Sequence, residues 1–243
     1  MLGTRGKRNV PTKESATGIW SMNEAYEARL DNIWPSLVPP VAGYIGWYTG
    51  DSWTGSQWQD KSGNNNHATS VTGSITQADV TGNGATATFP AIYGGTTAGI
   101  RFPSAILPST FTLFHVARYD GPTEKRIFDG LTANWLSGFH NAKAGVTYHD
   151  GWITSQTDYH GTNWVISTDQ NSLYRSKSTA YNGGAYNQST GGGGTNKQLT
   201  INYGSSTAER SDWMVAEVIV YNSTLSSADY NLVESYLENK YGI

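Results

Sequence analysis

The chain has 243 residues, of which 37% are hydrophobic, 12% aromatic and only 14% charged, with 28 glycines and a net charge of −3. Few charges, many aromatics and many glycines exclude a helix bundle and a disordered chain, and point to a β-protein with long turns. Cysteine is absent, so neither a disulfide framework nor a thiolate metal site exists, and no apolar run approaches the roughly 20 residues needed to cross a bilayer.

Arg5, Lys7, Arg8 and Lys13 against Glu14 give residues 1–17 a charge of +3, which leaves −6 on the remainder. The tail reads as disordered and contains no apolar stretch of the signal-peptide kind. Nucleic-acid contact is not expected except through this tail, because an acidic body disfavours contact with phosphates, and the tail itself reads first as a flexible terminus kept soluble by its charges. Residues 18–40 carry a helical signal. Ser21 and Glu24 form a capping box, Met22, Tyr26, Leu30 and Ile33 recur at helical spacing, and Pro35 stops the pattern. Trp20 and Trp34 flank this short element, which predicts that it packs on its own domain or on a neighbouring subunit.

From residue 41 the hydrophobic period becomes two. Segments 43–48, 85–89, 99–102, 111–117, 125–128, 134–139, 145–149, 163–167, 198–203 and 213–221 read as strands, separated by turn-rich stretches such as 62–66, 81–84 and 191–194. About ten strands without intervening helices predict an all-β, antiparallel sandwich. Residues 215–220 are nearly continuous apolar, so their strand should be central and covered on both faces. A closing helix is expected from the capping box of Ser226 with Asp229, the Leu225–Tyr230 staple and the stripe Tyr230, Val233, Leu237. Glu234, Glu238 and Lys240 are expected to face away from most of that stripe, and Gly242 suits the C-terminus.

Two segments resemble a known family. Trp58-Gln59-Asp60-Lys61-Ser62-Gly63-Asn64-Asn65-Asn66-His67-Ala68-Thr69 is similar to the W-x-D-x-S-G-N-x-N-H-A-T turn near the start of concanavalin A-like and laminin-G-like jelly-roll domains. Ala216-Glu217-Val218-Ile219-Val220-Tyr221-Asn222 with Leu225-Ser226, and the closing helix after it, resemble that family's last strand and terminal helix. Phe111-Thr112-Leu113-Phe114 resembles its core strand. The resemblance covers residues 41–243 and implies a jelly-roll sandwich; it says little about function, since lectins, glycanases, adhesion modules and capsid parts share the fold. Gly18-Ile19-Trp20-Ser21, Tyr26 and Trp34-Pro35 resemble a short leader on structural proteins of tailed phages and large aquatic viruses. That likeness implies a virion protein assembled in the host cytoplasm, with Trp20, Tyr26 and Trp34 as particle-anchoring residues.

Catalysis finds little support in the residues. A jelly-roll glucanase needs carboxylates alternating on one strand face as E-x-D-x-x-E, about 5–5.5 Å apart for retaining chemistry, and no such motif occurs. Glu209 and Asp212 are three apart, which puts them on opposite faces of a strand. Glu217 stands alone in an apolar strand and is expected to be a buried structural carboxylate, bonded to backbone or a neighbouring loop. The five histidines form no metal-binding pair. No cofactor is expected. Calcium is the alternative, through Asp51, Asp60 and residues 64–66, although Asp60 and the asparagines also suit an ordinary turn. Sugar binding remains, because aromatic faces stack on pyranose rings beside directional hydrogen-bonding groups. Trp53 and Trp58 with Asp60 and His67 form one candidate constellation, and Tyr148 and Trp152, with Tyr159 and His160 beyond them, a second. The combined expectation is a non-enzymatic virion structural or decoration protein that contacts other virion proteins or its own copies, has a lectin-like domain for host-surface glycans, and makes no membrane contact. The alternatives are a carbohydrate-binding module of a secreted enzyme and a glycoside hydrolase.

Overall fold

The structure is a computed structural model that describes residues 38–104, 106–154, 161–192, 197–204 and 206–243. The expected leader helix, with Trp20, Tyr26 and Trp34, lies outside the described residues, as do Tyr159 and His160.

Fourteen strands are described. They are β1 (Tyr44–Thr49), β2 (Ser70–Thr72), β3 (Thr76–Gly82), β4 (Ala85–Gly94), β5 (Gly99–Arg101), β6 (Thr112–Tyr119) and β7 (Phe128–Gly130). They continue as β8 (Trp135–His140), β9 (Lys143–His149), β10 (Val165–Gln170), β11 (Leu173–Lys177), β12 (Asn187–Thr190), β13 (Leu199–Ile201) and β14 (Trp213–Tyr221). One helix, α1 (Ser227–Tyr241), closes the chain. Eight strands form a sheet in the order β12-β11-β10-β6-β14-β4-β3, with β1 also paired to β14; the other six form a second sheet, β2-β5-β13-β7-β8-β9. Every strand pairing is antiparallel.

The two sheets enclose one core, to which β6, β10 and β14 contribute Leu113, Val165, Trp213 and Val218 from one side, and Ile100, Phe128, Phe139 and Ile201 come from the other. A second apolar layer covers the outer face of the larger sheet, where Val233, Leu237 and Tyr241 of α1 meet Phe89, Phe114, Trp164 and Ile219. β14 is therefore buried at all nine residues, as its apolar run predicts. The helix is bounded as expected: Ser226 Oγ accepts from Asp229 N at 3.2 Å, and Gly242 adopts a left-handed φ of 66°. Its charged face needs correcting, however. Glu234 is 2% exposed and receives Arg175 in a two-pronged contact at 2.8 and 2.9 Å, with Thr168 Oγ1 donating at 2.8 Å. A paired guanidinium lets this carboxylate lie against the sheet instead of pointing to water.

Four strands escape the sequence reading: β2, β3, β11 and β12. β2, β3 and β12 are sheet edges. The residues of β3 (TQADVTG) and β12 (NQST) are mostly exposed or half-buried and polar, and polar composition is how edge strands resist pairing with other chains. The 83–84 turn holds as predicted, since Asn83 and Gly84 both take positive φ (52° and 84°) and close the β3–β4 hairpin. β7 begins at Phe128, where the predicted segment ends, and runs to Gly130.

Two buried histidines lie between or beneath the sheets. His115 is fully buried, stacks on Phe128 with ring centroids 4.1 Å apart, and shares a 3.0 Å contact between its Nε2 and Ser137 Oγ. Burial lowers its pKa to about 3. A lowered folded-state pKa means that its contribution is intact above about 6.5 and is lost as pH falls toward 3. Unfolding free energy should drop across that window at up to about 1.4 kcal/mol per pH unit from this group. In urea titrations at pH 6.5, 5.5 and 4.5, His115→Gln is expected to flatten the drop. An unchanged slope would remove His115 as its source.

Candidate functional site

The first predicted constellation is structural. Trp58 has no exposed surface, packs on Tyr48 and Phe102 with centroids 5.6 and 6.1 Å away, and donates its Nε1 hydrogen to Thr49 O at 2.7 Å. Trp53 is 8% exposed and belongs to the same core. Neither indole offers a free face to a sugar, which corrects the sequence expectation: at this end of the sandwich the core consumes the aromatic residues. Asp60 is also spent. Its Oδ1 accepts from Trp47 N (2.9 Å) and Ser62 N (2.8 Å), and its Oδ2 from Ser62 Oγ (2.7 Å) and Asn66 N (2.9 Å). His67 Nδ1 accepts from Asp60 N at 3.0 Å. Asn66 Nδ2 donates to Ile45 O at 2.7 Å, and Asn64 Nδ2 to Tyr44 O at 3.3 Å. The D-K-S-G-N-N-N turn is a clasp that stitches a loop onto β1, as the turn reading holds. Asp51 meets this turn through its own lysine, Lys61 Nζ, at 3.4 Å. Among the described residues no three His, Asp or Glu side chains converge as metal ligands would.

The second constellation is partly at the surface. Trp152 is 38% exposed, one of three large hydrophobic residues so exposed among the described residues. Its backbone bridges to Tyr148, whose ring meets it edge-on at 5.4 Å, and the His140 ring lies 5.3 Å away. The β8–β9 hairpin sets this arrangement. Asn141 and Ala142 take left-handed φ values of 50° and 63°, which turn the chain within two residues and bring His140 opposite Lys143. Leu136 pairs with Tyr148, so Tyr148 projects from the outer face of the smaller sheet.

Beside this aromatic group lies a polar set that the sequence reading did not single out. Arg126 Nη1 donates to Asn134 Oδ1 at 3.0 Å and its Nε to Glu209 Oε2 at 3.2 Å, while His140 Nδ1 stands 3.6 Å from the same carboxylate oxygen. Burial lowers the His140 pKa, the Glu209 charge opposes that shift, and Arg126, Lys125 and Lys143 reinforce it. At neutral pH the ring is therefore neutral. Together the groups make a half-exposed aromatic platform edged by an imidazole, a carboxylate, a guanidinium and an amide. These four residues come from three separate stretches of chain, so no local motif announces them.

The neighbouring residues of that stretch serve the fold. His149 is buried, stacks on Trp135 at 5.5 Å, and its Nε2 lies 3.1 Å from Asp169 Oδ1, a contact that ties the two sheets together. Burial would lower its pKa, but the Asp169 charge and hydrogen bond outweigh that and raise it. Glu217 is likewise fully buried and accepts four hydrogen bonds, from Trp47 Nε1 (2.6 Å), Tyr236 OH (3.1 Å), Lys240 Nζ (2.7 Å) and Tyr241 OH (2.5 Å). Its burial is as expected, but its partners are side chains of β1 and α1, not backbone or a loop. Glu209 does not share a strand with Asp212; it sits in a short 3-10 turn, Thr207–Glu209, ahead of β14.

Sheet order, shared core and covering helix define an antiparallel two-sheet β-sandwich. No protein-family model and no curated protein matches the sequence. Solved structures do match. The binding domain of botulinum neurotoxin DC, in complex with SialylT, has a TM-score of 0.51 at 14% identity, over 80% of this chain and 52% of that one. Domain 4 of AbnA, a GH43 extracellular arabinanase from Geobacillus stearothermophilus in complex with arabinotriose, has a TM-score of 0.49 at 13% identity, over 80% and 98%. Trypanosoma rangeli sialidase in complex with sialic acid has a TM-score of 0.48 at 16% identity, over 84% and 34%. This chain thus spans about half of the neurotoxin domain and about a third of the sialidase. At such identities the neurotoxin likeness shows a shared fold alone.

Proposed function

We propose that this chain is a non-enzymatic, lectin-like jelly-roll protein of a virion, which binds glycans through the platform around Trp152 and is held to the particle by its N-terminal leader. The observation that carries the glycan reading is the exposed Trp152 ring flanked by Tyr148 and His140, with Arg126, Asn134 and Glu209 beside it. An indole face covers the apolar face of a pyranose, and planar polar groups at its rim meet the hydroxyls in fixed directions. The neurotoxin domain with the same fold was solved with SialylT, in keeping with a glycan ligand. Glu217 is fully buried and engaged by four donors, in keeping with a non-catalytic protein. The particle assignment rests on the leader motif Gly18-Ile19-Trp20-Ser21 with Tyr26 and Trp34-Pro35.

A glycan array followed by titration of its best ligand tests the first part. Trp152→Ala is expected to weaken binding at least about tenfold, or 1.4 kcal/mol, with little change in stability because the ring is partly in solvent. Equal binding by the variant would move the site elsewhere. Mass spectrometry of purified particles tests the second part, and absence of the chain from them would sink the virion assignment.

A further inference from the structure

The outer face of the smaller sheet carries a second feature, across the sheet from the platform and distinct from it. The register aligns Arg101 of β5, Thr200 of β13, Asp129 of β7, Leu136 of β8 and Tyr148 of β9 in one cross-strand row. Paired residues project to the same face, and four strand spacings put the two ends about 19 Å apart. The middle of the row is closed, since Thr200, Asp129 and Leu136 are buried and Gly204 lies directly on Asp129.

At the β5 end, two guanidinium groups gather on one ring. Arg101 Cζ lies 4.6 Å and Arg210 Cζ 5.6 Å from the centre of Tyr203. The other arginines described on β6, β11 and the 126 loop each have a carboxylate within 4 Å: Arg118 with Asp120, Arg126 with Glu209, and Arg175 with Glu234. Among the described residues Arg101 and Arg210 have no such ion pair, and the Nε of each is out of water without a hydrogen-bond partner. The carboxyl that acts electrostatically on Arg210, that of Asp129, is itself buried and hydrogen-bonded by Thr200 Oγ1. Burial raises it to about 7, against the lowering effects of Thr200, Arg126, Gly204 N–H and Arg210. Two guanidinium groups on one aromatic ring repel each other, and an anion that joins them relieves that repulsion and gives their buried Nε–H groups an acceptor. Guanidinium forks match the planar geometry of a carboxylate. Backbone pairing of Arg126 with Arg210 joins this pair to the polar set beside Trp152.

We propose that Arg101 and Arg210, held against Tyr203, bind the carboxylate of an acidic sugar residue, so that the ligand of the Trp152 platform is an acidic glycan. This rests on the glycan reading above. The experiment is calorimetric titration of the full chain with 3′-sialyllactose, a glucuronate-containing hexasaccharide long enough to span the row, lactose and inorganic phosphate. At least one acidic saccharide is expected to bind at least tenfold more tightly than lactose, and phosphate only weakly. Arg101→Gln with Arg210→Gln should erase the preference, and Arg101→Lys with Arg210→Lys should restore only part of it, with thermal midpoints verifying that each variant folds. Lactose binding as tightly as the acidic sugars, with Trp152 dependence intact, overturns the acidic specificity and leaves the platform standing. Phosphate binding as tightly as the saccharides reassigns the pair to a free oxyanion and also overturns it. No saccharide bound at all overturns both readings.

Discussion

Glu217→Ala is expected to destabilise the fold by about 3–5 kcal/mol, the cost of leaving three buried donors without their acceptor. The register skips Ala216 between Val215 and Glu217, so two successive residues of β14 turn toward the helix layer and the carboxylate is delivered there. It then gathers Trp47 of β1 with Tyr236, Lys240 and Tyr241 of α1. Removing it leaves the Trp47 Nε1, Tyr236 and Tyr241 donors without their acceptor in a buried layer, while Lys240, still 30% exposed, can turn to water. Glu217→Gln keeps the shape but sets an NH2 group against donors, and should cost about 1.5–3 kcal/mol. Urea unfolding followed by tryptophan fluorescence measures both. Wild-type stability in the Gln variant, together with lost turnover on a polysaccharide, would instead make Glu217 a catalytic group.

Trp58→Ala is expected to cost a similar amount, about 3–5 kcal/mol, because a fully buried indole leaves a cavity that Tyr48 and Phe102 cannot fill. The Thr49 carbonyl loses one of its two side-chain donors as well and keeps Ser52 Oγ at 3.0 Å. Under conditions where the variant remains folded, its glycan binding should match wild type. Trp152→Ala should do the reverse, so the pair of variants separates an aromatic residue of the core from one of the surface. A Trp58→Ala protein of full stability that no longer bound glycan would restore Trp58 to the sugar site.

Much of the architecture is legible in local patterning. The apolar run of β14 announces a strand covered on both faces, and Ser226, Asp229 and Gly242 mark the ends of α1. Asn83-Gly84 marks the turn that precedes β4, although not the strand before it. The edge strands are not legible, because their exposed faces carry threonine, serine, asparagine and glutamine without apolar alternation. The site is half legible. Tyr148 and Trp152 stand close together in sequence and appear as an aromatic pair, whereas His140, Arg126, Asn134 and Glu209 join them only through the β8–β9 hairpin and the return of the chain before β14.

What the sequence by itself determined is the class of the fold: period-two hydrophobicity, glycine-rich turns and the capped terminal helix depend on neighbours a few residues apart, and these interactions exist in any context. Only the tertiary structure decided which aromatic residues are core and which are surface. Trp53, Trp58 and Trp152 are chemically the same group, and nothing in their immediate neighbours separates the buried pair from the exposed one. The first two are buried because the sheets close over them, and the third is exposed because it lies on the outer face of the smaller sheet. Burial is a property of the packed layers. For the same reason Arg101 meets Tyr203 and Arg210 only because β5 pairs with β13, which brings Arg101 beside the stretch of chain that follows β13.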